Sequence, residues 1–396
     1  MRYNSSLHFE VPAAPLRILR LLNSAGYEAY LVGGCVRDAL YGKTPHDYDI
    51  TTNALPVQMQ SVFLGLRTIE TGLRHGTLTV MVDNEGFEVT TYRVDGEYVD
   101  HRRPENVCFT SSLEEDLRRR DFTINAMAYH PDVGLVDPFG GAQDLKAGVI
   151  RAVGEPHVRF SEDALRILRA LRFSARFGFE IEDATAMAAR SLAGTLTAIS
   201  AERIREEICG ILGAPYTDGI LREYADVLAV VIPEGGSGIA LASLDKDDIV
   251  LRLSAYLLKA GSRLAKTALL RLRSDRATAC AVESTLEIYE AGVPQGDEQI
   301  LRTLRAHGQK TLCRALSLFN VTGRDVSRVM SRMEELLRDG ACHALAMLAV
   351  DGNDLVCAGV PRGRAIGEML EVLFTAVIRG ECPNEREALL AYAVKK

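Results

Sequence analysis

A chain of 396 residues exceeds the roughly 250 over which a single hydrophobic core keeps growing, so at least two domains are expected. With 47% hydrophobic and 25% charged residues it has the composition of an ordinary globular protein, which excludes a disordered, collagen-like or low-complexity chain. The formal net charge of −7 weighs against indiscriminate nucleic-acid binding and requires local basic clusters wherever a phosphate backbone is to be met.

In chain order, EAYLVGG (28–34) reads as a short apolar strand ending in two glycines. CVRDALYG follows with helical spacing and stops at Gly42. HDYDITTNA (46–54) reads as a second strand, after which Thr52 or Asn53 is placed to cap a helix whose first turn holds Pro56. GTLTVMVDNEGFEVTTYRV (76–94) reads as two strands joined by a turn at Asp83 to Gly86. From Ser161 onward apolar positions recur at helical spacing, with breaks near Gly178, Pro215, Gly235 to Gly238, Pro294 and Gly340. No repeat of fixed period is present. The Gly235–Gly238 stretch is a flexible loop rather than a Walker cradle, since no GKS or GKT follows it. The change of texture near residue 150 divides a mixed α/β head from a helical remainder.

The chemistry gathers in YLVGGCVRDALYGKTPHDYDI (30–50). Gly33 and Gly34 permit close backbone approach at a helix N-terminus, where free N–H groups favour a phosphate, and Arg37 adds a charge-assisted contact. A Gly-Gly step is also a plain strand-to-helix turn. Asp47 and Asp49 are one residue apart, so on a strand both carboxylates leave the same face about 7 Å apart. Such anions repel unless neutralised, and hard oxygen ligands suit Mg²⁺ in a two-metal phosphoryl transfer. A solvated DxD on an edge strand is the competing reading. In GFEVTTYRV, Glu88, Thr90 and Tyr92 share a strand face, and Glu88 is a candidate third carboxylate, although an exposed strand glutamate is common and its spacing alone does not distinguish the two readings.

The succession GG, RD and DxD resembles the nucleotidyltransferase superfamily that includes DNA polymerase β. LRRRDFTINAMAY (117–129) and SEDALRILRALRFSARFGF (161–179) resemble motifs of bacterial class II CCA-adding enzymes and their poly(A) polymerase relatives. The resemblance implies an α+β fold with a polymerase-β-like head of mixed sheet, followed by all-α neck, body and tail domains, at 1–150, 151–215, 216–300 and 301–396. It implies catalytic roles for Asp47, Asp49 and Glu88, and contacts to the nucleotide ribose and phosphates for Arg120, Asp121 and Asn125. Read without it, RRRD would only open an apolar helix, with Asp121 near the dipole.

The EDALR segment supports an independent argument. Asp163 and Arg166, three apart on a helix, present neighbouring groups. Cytosine and adenine both offer an exocyclic amine beside a bare ring nitrogen, which a carboxylate and a guanidinium match. Guanine and uracil reverse the pattern and leave buried groups unpaired, at a cost of about 1–3 kcal/mol each. A solvated i,i+3 ion pair is the plain alternative. Arg166, Arg169, Arg172 and Arg176 form a basic stripe that meets phosphates and answers the acidic net charge locally.

Within the family, TGLRHGTLTVMV (71–82) resembles the CCA-type form and lacks the basic GRRF-like signature of the poly(A) polymerases. TYRVDGEYVDHRRPENV (91–107) suits a mobile loop that helps switch from C to A; relatives that add only CC have it shortened, whereas an A-adding enzyme keeps it. Residues 348–390 resemble the tail that contacts the tRNA elbow in compact class II enzymes. The expected activity is template-independent addition of CMP, CMP and AMP from CTP and ATP to the tRNA 3′ end, with A-only addition or poly(A) synthesis as the alternatives. Beyond His157 only His307 and His343 occur, neither followed by Asp, so an added HD phosphohydrolase is not expected. Besides Mg²⁺ no cofactor is needed, and no obligatory protein partner is evident. The eight cysteines form no CxxC pair, no run approaches the ~20 apolar residues of a membrane span, and the first 15 residues lack an export signal. The expectation is a cytoplasmic protein with reduced thiols.

Overall fold

The computed structural model describes residues 3–4, 9–95, 98–99, 103–104, 107–236 and 238–395. The chain divides into two compact units, Met1–Pro233 and Glu234–Lys396.

The first unit opens with β1 (Tyr3–Asn4), α1 (Ala13–Ser24), β2 (Ala29–Val32), α2 (Gly34–Leu40), β3 (Asp49–Thr52) and α3 (Pro56–Val62). β4 (Thr68–Ile69), β5 (Thr77–Val82) and β6 (Glu85–Thr91) follow. In α1, Pro15, Ile18, Leu19 and Leu22 make one buried stripe, as the 3.6-residue period requires. β5 alternates half-buried Thr and Met with buried Leu78, Val80 and Val82. Asp83 and Asn84 turn it back with φ of 52° and 67°, two residues in the left-handed region as a tight hairpin turn demands. The expected turn is thus present, with Glu85 and Gly86 already on the second strand.

After these come β7 (Arg93–Asp95), β8 (Tyr98–Val99), β9 (Arg103–Pro104) and β10 (Val107–Phe109). β7 pairs with β10 and β8 with β9, both antiparallel. The remainder of the expected specificity loop lies outside the described residues. After α4 (Leu113–Arg118) come β11 (Ala128–His130) and β12 (Gly134–Val136). Eight strands form one mixed sheet in the order β1, β12, β11, β2, β3, β6, β5, β4, in which β3 and β6 are parallel.

Two local expectations fail. α3 begins at Pro56, but Leu55 is its N-cap residue and Gln58 Oε1 accepts the Leu55 N–H at 2.8 Å. Thr52 belongs to β3, where its hydroxyl donates to Glu28 O, and Asn53 Oδ1 accepts the N–H of Glu28. Sheet pairing claims both residues before a helix can use them. RRRD, expected to open a helix, instead closes α4. Phe122 is extended and bridges Ala152, and a short 3₁₀ turn (Thr123–Asn125) leads into β11.

Beyond the sheet, α5 (Gly141–Ala147), α6 (Pro156–Glu162), α7 (Leu165–Phe177), α8 (Asp183–Ser191) and α9 (Ala201–Leu212) follow. α7 stops where Gly178 turns left-handed at φ 71°. The second unit is helical among its described residues, around a core that includes Leu301, Leu316, Phe319, Leu355, Phe374 and Leu389. Its longest helix (Gly296–Val321) is broken at Gly308, φ 78°. Of the Gly235–Gly238 loop, Ser237 lies outside the described residues. No described helix is long and apolar enough to cross a membrane.

Candidate active site

One face of the sheet is apolar over half its width and polar over the other. Across β12, β11 and β2 it carries Val136, Ala128 and Val32, covered by Leu113 and Leu117 of α4 together with Tyr92. In register with Val32 and Tyr30 come Asp49 and Thr51 of β3. Ile50 pairs with Val89 and Thr51 with Thr90, so Asp49 and Glu88 stand level on adjacent parallel strands and leave the same face. The opposite face, with Leu31, Ile50, Val89 and Leu78, is buried beneath α1 and α3. The carboxylates emerge where the cover of α4 ends.

β3 begins only at Asp49, and Asp47 lies in the coil before it. The two aspartates are therefore not successive same-face positions of one strand. Their nearness is electrostatic: desolvation raises the Asp49 carboxyl above the usual carboxylate range, Glu88 and Asp47 add to the rise, and Arg120 opposes it. Among the described residues no three His, Cys, Asp or Glu side chains gather closely enough to hold an ion by themselves. Crowded hard oxygens with a shortage of positive charge fit a divalent cation held by one or two carboxylates and completed by phosphate oxygens and water.

Gly33 sits above this edge at φ 75°, ψ −125°, and a Cβ there would lie 2.9 Å from Arg120 Nη1. Only glycine permits both the backbone angle and the approach. Arg120 lies 3.5 Å from Asp116 Oδ2, and its buried Nε has no hydrogen-bond partner. Arg37 is buried rather than extended toward solvent. It pairs with Asp38 at 2.8 Å, donates to Asn125 Oδ1 at 2.5 Å and lies over the rings of Phe173 and Phe177. Asn125 in turn donates to Asp121 Oδ1 at 3.0 Å, and Asp121 Oδ2 accepts from Arg169 Nε at 2.8 Å. Burial alone would raise the Asp121 carboxyl, but Arg169 and the Asn125 hydrogen bond outweigh it and hold it at about 2. Asp38, Arg37, Asn125, Asp121 and Arg169 thus form one connected line.

Asp163 and Arg166 do not share a helix. Asp163 stands between α6 and α7 with extended backbone (φ −139°, ψ 102°). Its Oδ2 accepts from Arg203 Nη2 at 2.8 Å and its Oδ1 from the Leu165 N–H at 3.1 Å. Arg166 pairs with Glu162 at 2.6 Å and donates to Arg119 O at 2.9 Å. The basic stripe of α7 is likewise engaged: Arg169 with Asp121, Arg172 with Glu207 at 3.0 Å, and Arg176 near Asp38 at 3.8 Å. These arginines face carboxylates of their own chain, which corrects the expectation of a stripe waiting for phosphate.

Residues 29–151 match the family "Poly A polymerase head domain", 178–234 match "Probable RNA and SrmB-binding site of polymerase A", and 245–393 match tRNA nucleotidyltransferase domain 2. A CCA-adding enzyme of Limosilactobacillus fermentum is 36% identical over 412 residues, covering 96% of each chain. The chain belongs to the CCA-adding enzyme family. The CCA-adding enzyme of Geobacillus thermodenitrificans is also 36% identical, over 96% of each chain. The crystal structure of the Bacillus stearothermophilus CCA-adding enzyme in complex with CTP matches with a TM-score of 0.82 at 30% identity, over 96% of both chains.

Several residues of this CCA-adding nucleotidyltransferase escaped the sequence reading. Asp116, fully buried, accepts from Thr51 Oγ1, the Arg93 N–H and Arg119, tying the strand of Asp49 to the arginines that follow α4. Its position four residues before Arg120 on a helical pattern was the available signal. Arg203 and Glu207, one turn apart on α9, reach Asp163 and Arg172. Nothing local in AERIREEICGIL indicates those distant partners.

Proposed function

We propose that this protein adds C, C and A in turn to the 3′ end of tRNA, from CTP and ATP and without a template. The observation that carries this reading is the level placement of Asp49 and Glu88 beside Asp47, Arg120 and Gly33, in a chain similar along nearly its whole length to CCA-adding enzymes. The tRNA 3′-hydroxyl gives up its proton as its oxygen bonds to the α-phosphorus of the nucleotide, the α-phosphorus–oxygen bond to the β-phosphate breaks, and pyrophosphate leaves. Asp47 and Asp49 would hold Mg²⁺, and Glu88 would be the third catalytic carboxylate. When bound, the metal supplies Lewis-acid stabilisation of the attacking and departing oxygens.

The chain's own residues do the positioning. The glycines admit the triphosphate close to backbone N–H groups, and Arg120 offers the buried, unpartnered Nε beside it. Asn125, oriented by Arg37, and Asp121, oriented by Arg169, face the ribose and phosphates. Asp163 accepts from the exocyclic amine common to cytosine and adenine, and Arg166 donates to the adjacent ring nitrogen. Residues 1–150 act as catalytic head, 151–215 as base-recognising neck, 216–300 as body and 301–396 as tRNA-binding tail. Free cysteines and a tRNA substrate support a cytoplasmic location.

Three primers test this: tRNA lacking its last three nucleotides, tRNA ending in CC, and an unrelated RNA, each with single nucleotides and Mg²⁺. C on the first and A on the second are expected. No C on the first would indicate an A-adding enzyme, and long A tracts on the unrelated RNA a poly(A) polymerase.

A further inference from the structure

Asp163 has no helix to hold it. Its backbone is extended between α6 and α7, so the direction of its carboxylate depends on what its oxygens touch. Two groups do so: the Leu165 N–H takes Oδ1 and Arg203 takes Oδ2. Arg203 comes from another helix, α9, and its Nη1 is buried without a hydrogen-bond partner. The same face of α9 carries Glu207, which binds Arg172 and lies 3.9 Å from Arg169, the arginine that holds Asp121. α9 thus braces the neck side of the site at two points one turn apart.

We propose that Arg203 is a positioning residue for nucleotide choice: it fixes the Asp163 carboxylate in the orientation that accepts the exocyclic amine of cytosine or adenine. This rests on the base-reading role given to Asp163 above. A carboxylate has about four lone-pair directions, and the two contacts leave capacity for the amine while removing rotation. Discrimination between an amine and a carbonyl needs that fixity. A carboxylate free to turn away from a uracil or guanine carbonyl would no longer be forced to meet it, and the penalty on the wrong base would vanish. The side chain that sets the readout is therefore forty residues from the one that performs it.

The test uses the full-length chain with the substitutions Arg203→Ala, Arg203→Lys, Asp163→Ala and the double substitution Arg203→Ala with Asp163→Ala. For each, kcat and KM are measured for CTP and UTP on tRNA lacking CCA and for ATP and GTP on tRNA ending in CC, alongside thermal melting. Arg203→Ala is expected to lower the CTP-over-UTP and ATP-over-GTP ratios of kcat/KM about tenfold, mainly through a higher kcat/KM for UTP and GTP. Arg203→Lys should recover part of the ratio, and the double variant should discriminate no worse than Asp163→Ala. Unchanged ratios in Arg203→Ala, with lowered ratios in Asp163→Ala, would overturn the positioning role alone. Unchanged ratios in Asp163→Ala would overturn the base-reading role and this inference with it. If Arg203→Ala loses its melting transition, Arg203→Lys decides, because a folded Lys variant with intact discrimination overturns the proposal.

Discussion

Replacing Asp121 with asparagine removes one of the two carboxylates, the other being Asp38, in the line that joins the glycine turn to α7. Its carboxylate accepts from the Phe122 N–H at 2.8 Å, Asn125 at 3.0 Å and Arg169 at 2.8 Å. Removing one member of a buried ion pair costs roughly 3–5 kcal/mol, because the other charge stays desolvated. Asparagine keeps an acceptor for Phe122 and Asn125 but turns an amide toward Arg169, so the lower end, about 3 kcal/mol, applies. The pH dependence is independently fixed. A folded value of about 2 against an ordinary 3.8 corresponds to about 2 kcal/mol of stability. Because the folded value is the lower one, this contribution is complete above the ordinary value and is lost as pH falls toward 2. Urea denaturation of wild type and Asp121→Asn should therefore give a difference that is constant from pH 8 to about 5 and narrows by about 2 kcal/mol as pH falls below about 4. A difference that shrinks between pH 8 and 5, or one absent at pH 7, would refute the assignment of an ionised, Arg169-bound carboxylate.

Other outcomes follow from the same geometry. Asp49→Asn should cut kcat by roughly a thousandfold or more, as expected when several kcal/mol of metal-assisted stabilisation is lost, while the melting temperature does not fall, because the substitution removes a desolvated charge crowded by Glu88 and Asp47. Chelation with EDTA should abolish nucleotide addition and added Mg²⁺ restore it, while circular dichroism stays constant; retained activity in EDTA would contradict the metal role. Gly33→Ala forces a Cβ toward Arg120 at φ 75°, and a cost of about 1–3 kcal/mol at this turn should appear chiefly as a raised KM for nucleotide. His130 is buried, and its Nδ1 accepts the Asp132 N–H, so the ring is neutral there. Burial lowers its pKa, and the stability it lends is present above about 6.5, the ordinary histidine value, and lost as pH falls through the lowered value. Wild type should then lose more melting temperature between pH 7.5 and 5.5 than His130→Gln.

What the sequence disclosed and what it withheld divide by range. The hairpin of β5 and β6 was legible because alternation and the Asp83–Asn84 turn are local properties. The face on which Glu88 stands was legible from alternation, but its nearness to Asp49 came only with the parallel pairing of β3 and β6. Asp47 was misplaced because the strand begins at Asp49, two residues later, which takes it off the pleat. Asp163 was misread because the helical pattern of apolar residues runs through a break made by its own extended backbone. Arg37 looked like a phosphate ligand because an arginine near two glycines is ambiguous until Phe173, Phe177 and Asn125 close around it. Asp116, Arg203 and Glu207 gain their meaning only from partners brought in by tertiary packing.

The matched arginines of α7 bear on how RNA is selected. A protein's attraction for a polyphosphate grows with the free cations that displace condensed counterions, and it weakens with salt in proportion to their number. Arg166, Arg169, Arg172 and Arg176, each beside a carboxylate, contribute little to that slope. The salt sensitivity of tRNA association must then arise from basic groups elsewhere on the chain. A random polyanion therefore meets few free cations along α7.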